Sequence, residues 1–498
     1  MNNKKNNMMI DFYELTMGQA YFNEGVKDTR VCFDCFFRKN RDKAAFSLLG
    51  NTESIINFIK DFKFSKEEID YLRSLHIFSE DYLNYLSTMK FTGDVYAVED
   101  GSVTLPNEPD ITIVAPIIEA QVIETKLLTL FNFSSLITSK ASRIVRAAEG
   151  HTVMEFGSRR AHGDAAANLG ALDAYVAGAA GTACTMTGME FGVPVLGTMA
   201  HSFIQMFDSE YEAFKAYAKA FPNNATFLVD TYDTLGSGIP NAIKVTKEVL
   251  EPMGKTLAGI RIDSGDLAYL SKQARKMLDK AGLKDAKICI SNSLDEYLIQ
   301  DLLDQGAPID SFGVGENLIT AKSDPVFGGV YKLVAVEKDG KWIPKIKISD
   351  DIDKITNPGF KDIVRLYDKD GKMITDLVQM FDEPLPSGEI KLRDPKSTWR
   401  YTTLRDYTPV RIKKKMIENG EIIHKFKTLE GKRQHLQDEL DTLKEENLRL
   451  TNAQTIQISL SPKLASIKEK LLEEHNRGRR HDSGNEIIDL DFDEDFKG

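Results

Sequence analysis

Between residues 150 and 335 the chain repeats one unit: a short apolar run rich in β-branched residues, a polar turn, then a helical stretch. The runs are TVMEFGSRRAH, VPVLGTMAHSF, ATFLVDTYDTL, LAGIRIDSGDL, KICISNSL and SFGVGENLI. Unbroken apolar character suits strands buried on both faces, and alternation with helices suits a parallel sheet built from crossovers. Each run ends in Gly, Ser, Asp, Arg or His. Ligands in such folds meet the carboxyl ends of the strands, so these polar residues are where chemistry is expected. The spacing alone fits an open doubly wound sheet as well as a closed barrel.

Four zones follow from this. Residues 1–140 mix helical segments such as NTESIINFIKDF with β runs such as FTGDVYAVEDG and ITIVAPIIEA, an α+β texture. Residues 141–335 carry the βα repeat. Across 336–475 charge rises and turn signals cluster (KDGKW, TNPGF, DKDGK), predicting hairpins that return to the first zone's sheet. Leu436, Leu440, Leu443 and Leu450 in that zone keep helical spacing for about two heptads, which predicts a helix packed on its own domain and not a coiled coil. Residues 476–498 set Arg477, Arg479 and Arg480 before an acidic run and read as a disordered tail.

Composition removes several classes of function. A formal charge of -11 argues against a general binder of phosphate backbones, so no nucleic-acid partner is expected. The stretch from Ala174 to Met189 is broken by glycines and threonines and is too short to span a bilayer, and the start MNNKKNNMMI lacks a signal-peptide apolar region. No membrane association is expected. Four cysteines in 498 residues make no disulfide framework, which fits the cytoplasm. Cys32 and Cys35 form a C-x-x-C inside the apolar run VCFDCFF, with no second pair at ligand spacing, and read as core thiols.

The strand ends suggest one ligand. In RIDSGDL, Asp263 and Asp266 flank a Ser-Gly turn, where two carboxylates can converge on a cation or on ribose hydroxyls. Asp266 can equally cap the next helix. Asp230 and Asp233 in LVDTYDTL repeat the pattern. Ser291 and Asn292 supply polar donors, and Gly313 and Gly315 would let backbone amides approach a phosphate. Arg159, Arg160 and His162 stand beside Phe156, a set suited to pyrophosphate or carboxylate binding with a ring to stack on. His201, after the run PVLGT, sits at the same end of the sheet and is the candidate nucleophile or acid/base. A ligand matching these pieces carries a phosphate, ribose-like hydroxyls, a metal-bound pyrophosphate and a flat anionic ring.

In order, DFYELTMGQAYF, EFGSRRAH, GVPVLGTMAHSF, LVDTYDT, IRIDSGDL, FGVGE and GGVYKLVAV resemble the nicotinate phosphoribosyltransferases over about residues 9–475. The resemblance implies an α/β protein: an irregular α/β barrel with a second α/β domain assembled from N- and C-terminal segments, working as a homodimer. It implies that nicotinate and phosphoribosyl pyrophosphate give nicotinate mononucleotide and pyrophosphate in NAD salvage, with Mg²⁺ required and ATP hydrolysis coupled. The same resemblance makes His201 the residue phosphorylated by ATP. It places Tyr13, from the partner subunit, and Phe156 on either side of the pyridine ring. Thr198 would contact nicotinate, Arg159 and Arg261 would hold anionic groups, and Asp263 the ribose hydroxyls.

Two stretches depart from the family pattern: Gly181-Thr182-Ala183-Cys184 stands where G-T-S-N is common, and Gly315-Glu316 closes the stretch where G-x-G-T is common. Three other readings compete. A nicotinamide phosphoribosyltransferase differs by one amide against one carboxylate. A sugar-phosphate aldolase or isomerase would want a Schiff-base lysine or a general-base carboxylate at a strand end, and none of the six ends has a lysine. A non-enzymatic interaction protein would leave the polar strand ends without a purpose.

Overall fold

The computed structural model describes residues 7–393 and 401–481. The βα repeat forms a parallel sheet of five strands: β1 (Thr152–Glu155), β2 (Thr226–Leu228), β3 (Gly259–Ile262), β4 (Lys287–Ser291) and β5 (Ser311–Val314). Their order is β1-β5-β4-β3-β2, and every pairing is parallel. Phe227, Ile260, Ile262, Ile288, Ile290, Phe312 and Val314 are fully buried, as strands covered on both faces require. Beyond β1 the wall continues through single parallel bridges from Glu155 to Thr182 and from Thr182 to Val195. The run VPVLGT, expected as a full strand, is therefore reduced to one bridge residue. Pro194 has no N–H to give a ladder, and a side chain on Gly181 would strike the Pro194 carbonyl. The result is an irregular α/β barrel.

The crossover helices follow the usual amphipathic logic. Helix Leu267–Lys280 buries Leu267, Ala268, Ser271, Ala274 and Leu278, a stripe on one face. Helix Glu296–Asp304 buries Ile299 and Leu302.

A second domain joins both ends of the chain in a seven-stranded antiparallel sheet. Its order is Lys341–Pro344, Gly329–Lys338, Arg30–Phe37, Ile111–Pro116, Asp94–Ala97, Lys414–Glu418, Glu421–Ile422. Strand Gly329–Lys338 pairs with Arg30–Phe37 from Gly329 opposite Phe37 to Val336 opposite Val31. The return to the first domain thus begins at 329, ahead of the boundary expected at 335, because the GG at 328–329 opens directly into a strand. Helix Glu124–Ala147 runs through the boundary expected at 140 and packs on helices Asp164–Val176 and Glu296–Asp304 of the barrel domain.

Cys32 and Cys35 lie on Arg30–Phe37, both fully buried. Cys35 joins the main core, and Cys32 joins a separate cluster with Val114, Val334 and Ala335, so the two share neither a metal nor a disulfide. Burial pushes both thiols well above their ordinary value. Leu436, Leu440 and Leu443 are buried in and just after helix Leu429–Asp441, which packs on helix Asp164–Val176 of the barrel domain as well as on strand Val103–Thr104, and not on its own domain alone as expected. Helix Pro462–His481 continues past the point where a tail was expected to begin at 476. Lys and Glu spaced for helical pairing, as in Lys470 and Glu474 at 3.9 Å, favour that extension. Residues 482–498, the remainder of the expected tail, lie outside the described residues. Among the described residues no helix is long and apolar enough to cross a membrane.

Candidate active site

The carboxyl ends of β1, β3, β4 and β5 enclose an open cleft of about 410 Å³. Its shape starts with Glu155, the last residue of β1. This side chain is fully buried; Oε1 accepts from the Gly157 amide, and Oε2 accepts from Thr182 Oγ1 at 2.5 Å. Burial pushes its carboxyl upward, against the pull of those two donors. The turn so fixed sends Phe156 into the cleft, with its amide donating to the Val314 carbonyl at 2.7 Å. Gly313 lies under the ring, where a Cβ would come within 2.6 Å of Phe156 Cδ2. The first glycine of G-V-G therefore makes room for an aromatic ring. A Cβ on Gly315 would meet the Phe156 carbonyl at 3.1 Å.

Arg261 on β3 faces the same ring, 5.7 Å from its centroid. Its Nε donates to Ser291 Oγ at 2.8 Å, Nη1 to the Met199 carbonyl at 3.3 Å and Nη2 to Asp263 Oδ1 at 3.1 Å. Ser291 Oγ donates in turn to Asp263 Oδ1. Arg261, Ser291 and Asp263 thus form a closed polar floor. Arg159, on the 3-10 turn Ser158–Arg160, is exposed at the mouth and has no acidic partner among the described residues. Thr198 also lines the cleft, and its Oγ1 is buried with no hydrogen bond. Asn292 and Ser293 complete the rim with φ of 93° and 49°, left-handed conformations that non-glycine residues rarely hold. Asn317 Nδ2 holds that loop by donating to the Ser293 carbonyl at 2.8 Å.

His201 opens the short helix His201–Gln205. Its Nδ1 lies 3.1 Å from Thr231 Oγ1, and its Nε2 lies 3.7 Å from Asp263 Oδ2 and 3.9 Å from Asp230 Oδ1. The Asp230 side chain is nearly fully buried; Oδ2 accepts from the Asp263 amide at 2.8 Å and Ser264 Oγ at 2.7 Å, while Oδ1 has no hydrogen bond. Asp263 is the shared wall: His201 stands on its far side, at the margin of the cleft.

The predicted pairing of Asp263 with Asp266 is not what the chain adopts. Asp266 turns away and caps helix Leu267–Lys280, accepting from the Tyr269 amide at 3.0 Å. Asp233 likewise accepts from the Leu235 and Gly236 amides, at 3.2 and 2.9 Å. The carboxylates that converge are Asp230 and Asp263, from adjacent strand ends. Among the described residues no group of three or more ligating side chains could hold a metal ion unaided. Tyr13, on helix Phe12–Asn23 of the second domain, is 44% exposed and does not line the cleft of its own chain. Sequence reasoning missed Glu155 and Thr231. A charge closing an apolar strand was the one signal for Glu155, and nothing in VDTYDT singled out Thr231.

Three models of nicotinate phosphoribosyltransferase (NAPRTase) match the chain: the N-terminal domain at residues 8–132, the family at 151–383 and the C-terminal domain at 360–468. A nicotinate phosphoribosyltransferase of Bacillus subtilis is 38% identical over 453 residues, covering 91% of this chain and 92% of that protein. One from Caenorhabditis elegans is 33% identical over 520 residues, covering 92% of each. The crystal structure of human nicotinic acid phosphoribosyltransferase superposes with a TM-score of 0.82 at 26% identity, over 93% of this chain and 99% of that one. By sequence over nearly its whole length and by fold, this chain belongs to the nicotinate phosphoribosyltransferase family.

Proposed function

We propose that this protein joins nicotinate to phosphoribosyl pyrophosphate, releasing nicotinate mononucleotide and pyrophosphate for NAD salvage, and that ATP hydrolysis is coupled through a phosphohistidine at His201. The observation that carries this reading is the setting of His201: one ring nitrogen at Thr231, the other facing two carboxylates, beside a cleft lined by the Phe156 ring and by Arg159, which has no acidic partner among the described residues.

The pyridine ring lies on Phe156, with its carboxylate toward Arg159 and the unpartnered Thr198 hydroxyl. As the bond from C1 to pyrophosphate breaks, the leaving oxygen takes the electron pair and C1 becomes oxocarbenium-like. The Asp263 carboxylate, fixed by Arg261 and Ser291, stabilises that positive charge and orients the ribose hydroxyls. The pyridine nitrogen then supplies the pair that forms the new C–N bond. In the ATP half-reaction, Thr231 holds Nδ1 and Nε2 attacks the γ-phosphorus in line, giving an N–P bond and ADP. The ring's one proton stays on Nδ1, which donates to Thr231 Oγ1, so Nε2 attacks with a free lone pair, and the Asp230 and Asp263 carboxylates offset the positive charge that the ring gains. Water later cleaves the N–P bond and restores the imidazole.

Asp230 and Asp263 are also the residues that would hold Mg²⁺, and the orphaned buried Oδ1 of Asp230 suits such a role. When bound with substrate phosphates, the ion would neutralise their charge. As a homodimer, the protein would place Tyr13 over the open face of the ring in the cleft of the partner subunit.

The test is mononucleotide formation from phosphoribosyl pyrophosphate and MgATP with nicotinate or nicotinamide in parallel. Product from nicotinate, with little or none from nicotinamide, is expected, since a carboxylate gains a charge-assisted, two-pronged pairing with the Arg159 guanidinium and a neutral amide gains at most a weaker hydrogen bond. Equal or greater product from nicotinamide contradicts the substrate assignment, and no product from either ring contradicts the reaction class.

A further inference from the structure

The cations around the cleft differ in what already occupies them. Arg159 has no acidic partner among the described residues, and Arg261 is bound to Ser291, Met199 and Asp263. Arg160 and Lys322 share a single acid, Glu316. Its Oε1 lies 2.7 Å from Lys322 Nζ and its Oε2 lies 3.7 Å from Arg160 Nε. Glu316 follows Gly315 after β5, and Arg160 closes the turn after β1, so the carboxylate bridges the loops of two paired strands at the cleft mouth.

This bridge is not part of the fold's support. Glu316 is 41% exposed, Arg160 70% and Lys322 63%, and such wet pairs contribute little to stability. At 3.7 Å the Arg160 contact is an ion pair without a hydrogen bond. A phosphate group offers more oxygens and more charge than one carboxylate, so it competes well for the same two cations.

The geometry points to Glu316 as an internal anion that occupies Arg160 and Lys322 until a substrate phosphate displaces it, and so sets the affinity of the cleft for phosphorylated ligands. This inference rests on the cleft being a phosphoribosyl site. Glu316 acts on binding and takes no part in the bond changes.

The test titrates inorganic pyrophosphate calorimetrically into the full-length protein, Glu316→Gln and Glu316→Gln/Lys322→Ala at low and moderate salt. Removing the carboxylate charge should tighten pyrophosphate binding about three- to tenfold and steepen its loss with salt, since two more cations then face the ligand. Adding Lys322→Ala should return the affinity toward that of the starting protein. Unchanged or weaker binding by Glu316→Gln overturns the inference, as does absence of pyrophosphate binding in all three proteins. No turnover enters this readout. If the enzymatic reading fails, mononucleotide is absent while the pyrophosphate effect of Glu316→Gln persists. If only this inference fails, turnover is intact and the effect is missing.

Discussion

In the proposed mechanism Thr231 sets which nitrogen of His201 is available. With Nδ1 3.1 Å from the threonine hydroxyl, the ring is oriented and Nε2 is left toward Asp230 and Asp263. Thr231→Val should lower ATP-coupled turnover about ten- to a hundredfold, the usual effect of losing an orienting partner, with less effect on the KM for nicotinate. Steady-state kinetics check this, and unchanged kcat contradicts it. Gly313 makes a second residue-scale prediction. A methyl there meets the Phe156 ring at 2.6 Å, so Gly313→Ala should displace the ring and raise the KM for nicotinate about tenfold or more. An unaltered KM would mean that the ring is not part of the base site. The residues that line the cleft were legible where a parallel sheet collects them at its strand ends. They were illegible where a side-chain rotamer decides: in sequence Asp230 and Asp233 look alike, yet one is buried against His201 and the other caps a turn.

Among the secondary-structure elements, the ambiguity of RIDSGDL resolves in favour of a cap. Asp266→Ala should cost about 1 kcal/mol through loss of the hydrogen bond to the Tyr269 amide, whereas Asp266→Asn keeps the cap and should keep both stability and activity. Denaturant melts with turnover assays distinguish the outcomes; loss of activity in the asparagine variant would restore Asp266 to the metal site. Helix Phe12–Asn23 makes a pH-dependent prediction. Burial pushes Glu14, fully buried by surface exposure, from the ordinary 4.5 to about 7. The folded state holds that proton more tightly than the unfolded chain, so the associated stabilisation is present below pH 4.5 and lost as pH rises through about 7. Glu14→Gln should therefore gain in Tm relative to the unsubstituted protein between pH 5 and pH 8; a constant difference contradicts this. The elements themselves were readable from apolar periodicity. The exception, VPVLGT, failed because Pro194 cannot donate to a ladder and Gly181 lets the backbones crowd together.

At the scale of the molecule, the halves are tied by helix Glu124–Ala147 and one buried acid. Glu296 is fully buried and accepts from Lys140 and Arg143, each at 2.9 Å. Lys140 also reaches Asp42 at 3.1 Å in the loop after strand Arg30–Phe37. Truncating Glu296 to alanine would leave two buried cations without it and should cost about 3–5 kcal/mol. Periodicity showed the α/β repeat and the return of the chain to its first sheet, since both depend on local pattern. It did not show this network, which joins residues far apart in sequence. Tyr13, which does not line the cleft of its own chain, extends the account to the proposed homodimer. Mixing inactive Tyr13→Ala with inactive His201→Ala should restore about a quarter of the activity, because half the dimers then carry one complete site of two. No recovery contradicts a shared site.

The central claim is that His201 is the phosphoryl acceptor, and labelling tests it most directly. Incubated with γ-labelled ATP and Mg²⁺, the unsubstituted protein should acquire acid-labile, base-stable phosphate and His201→Ala none. His201→Ala labelled as strongly as the unsubstituted protein would contradict the assignment.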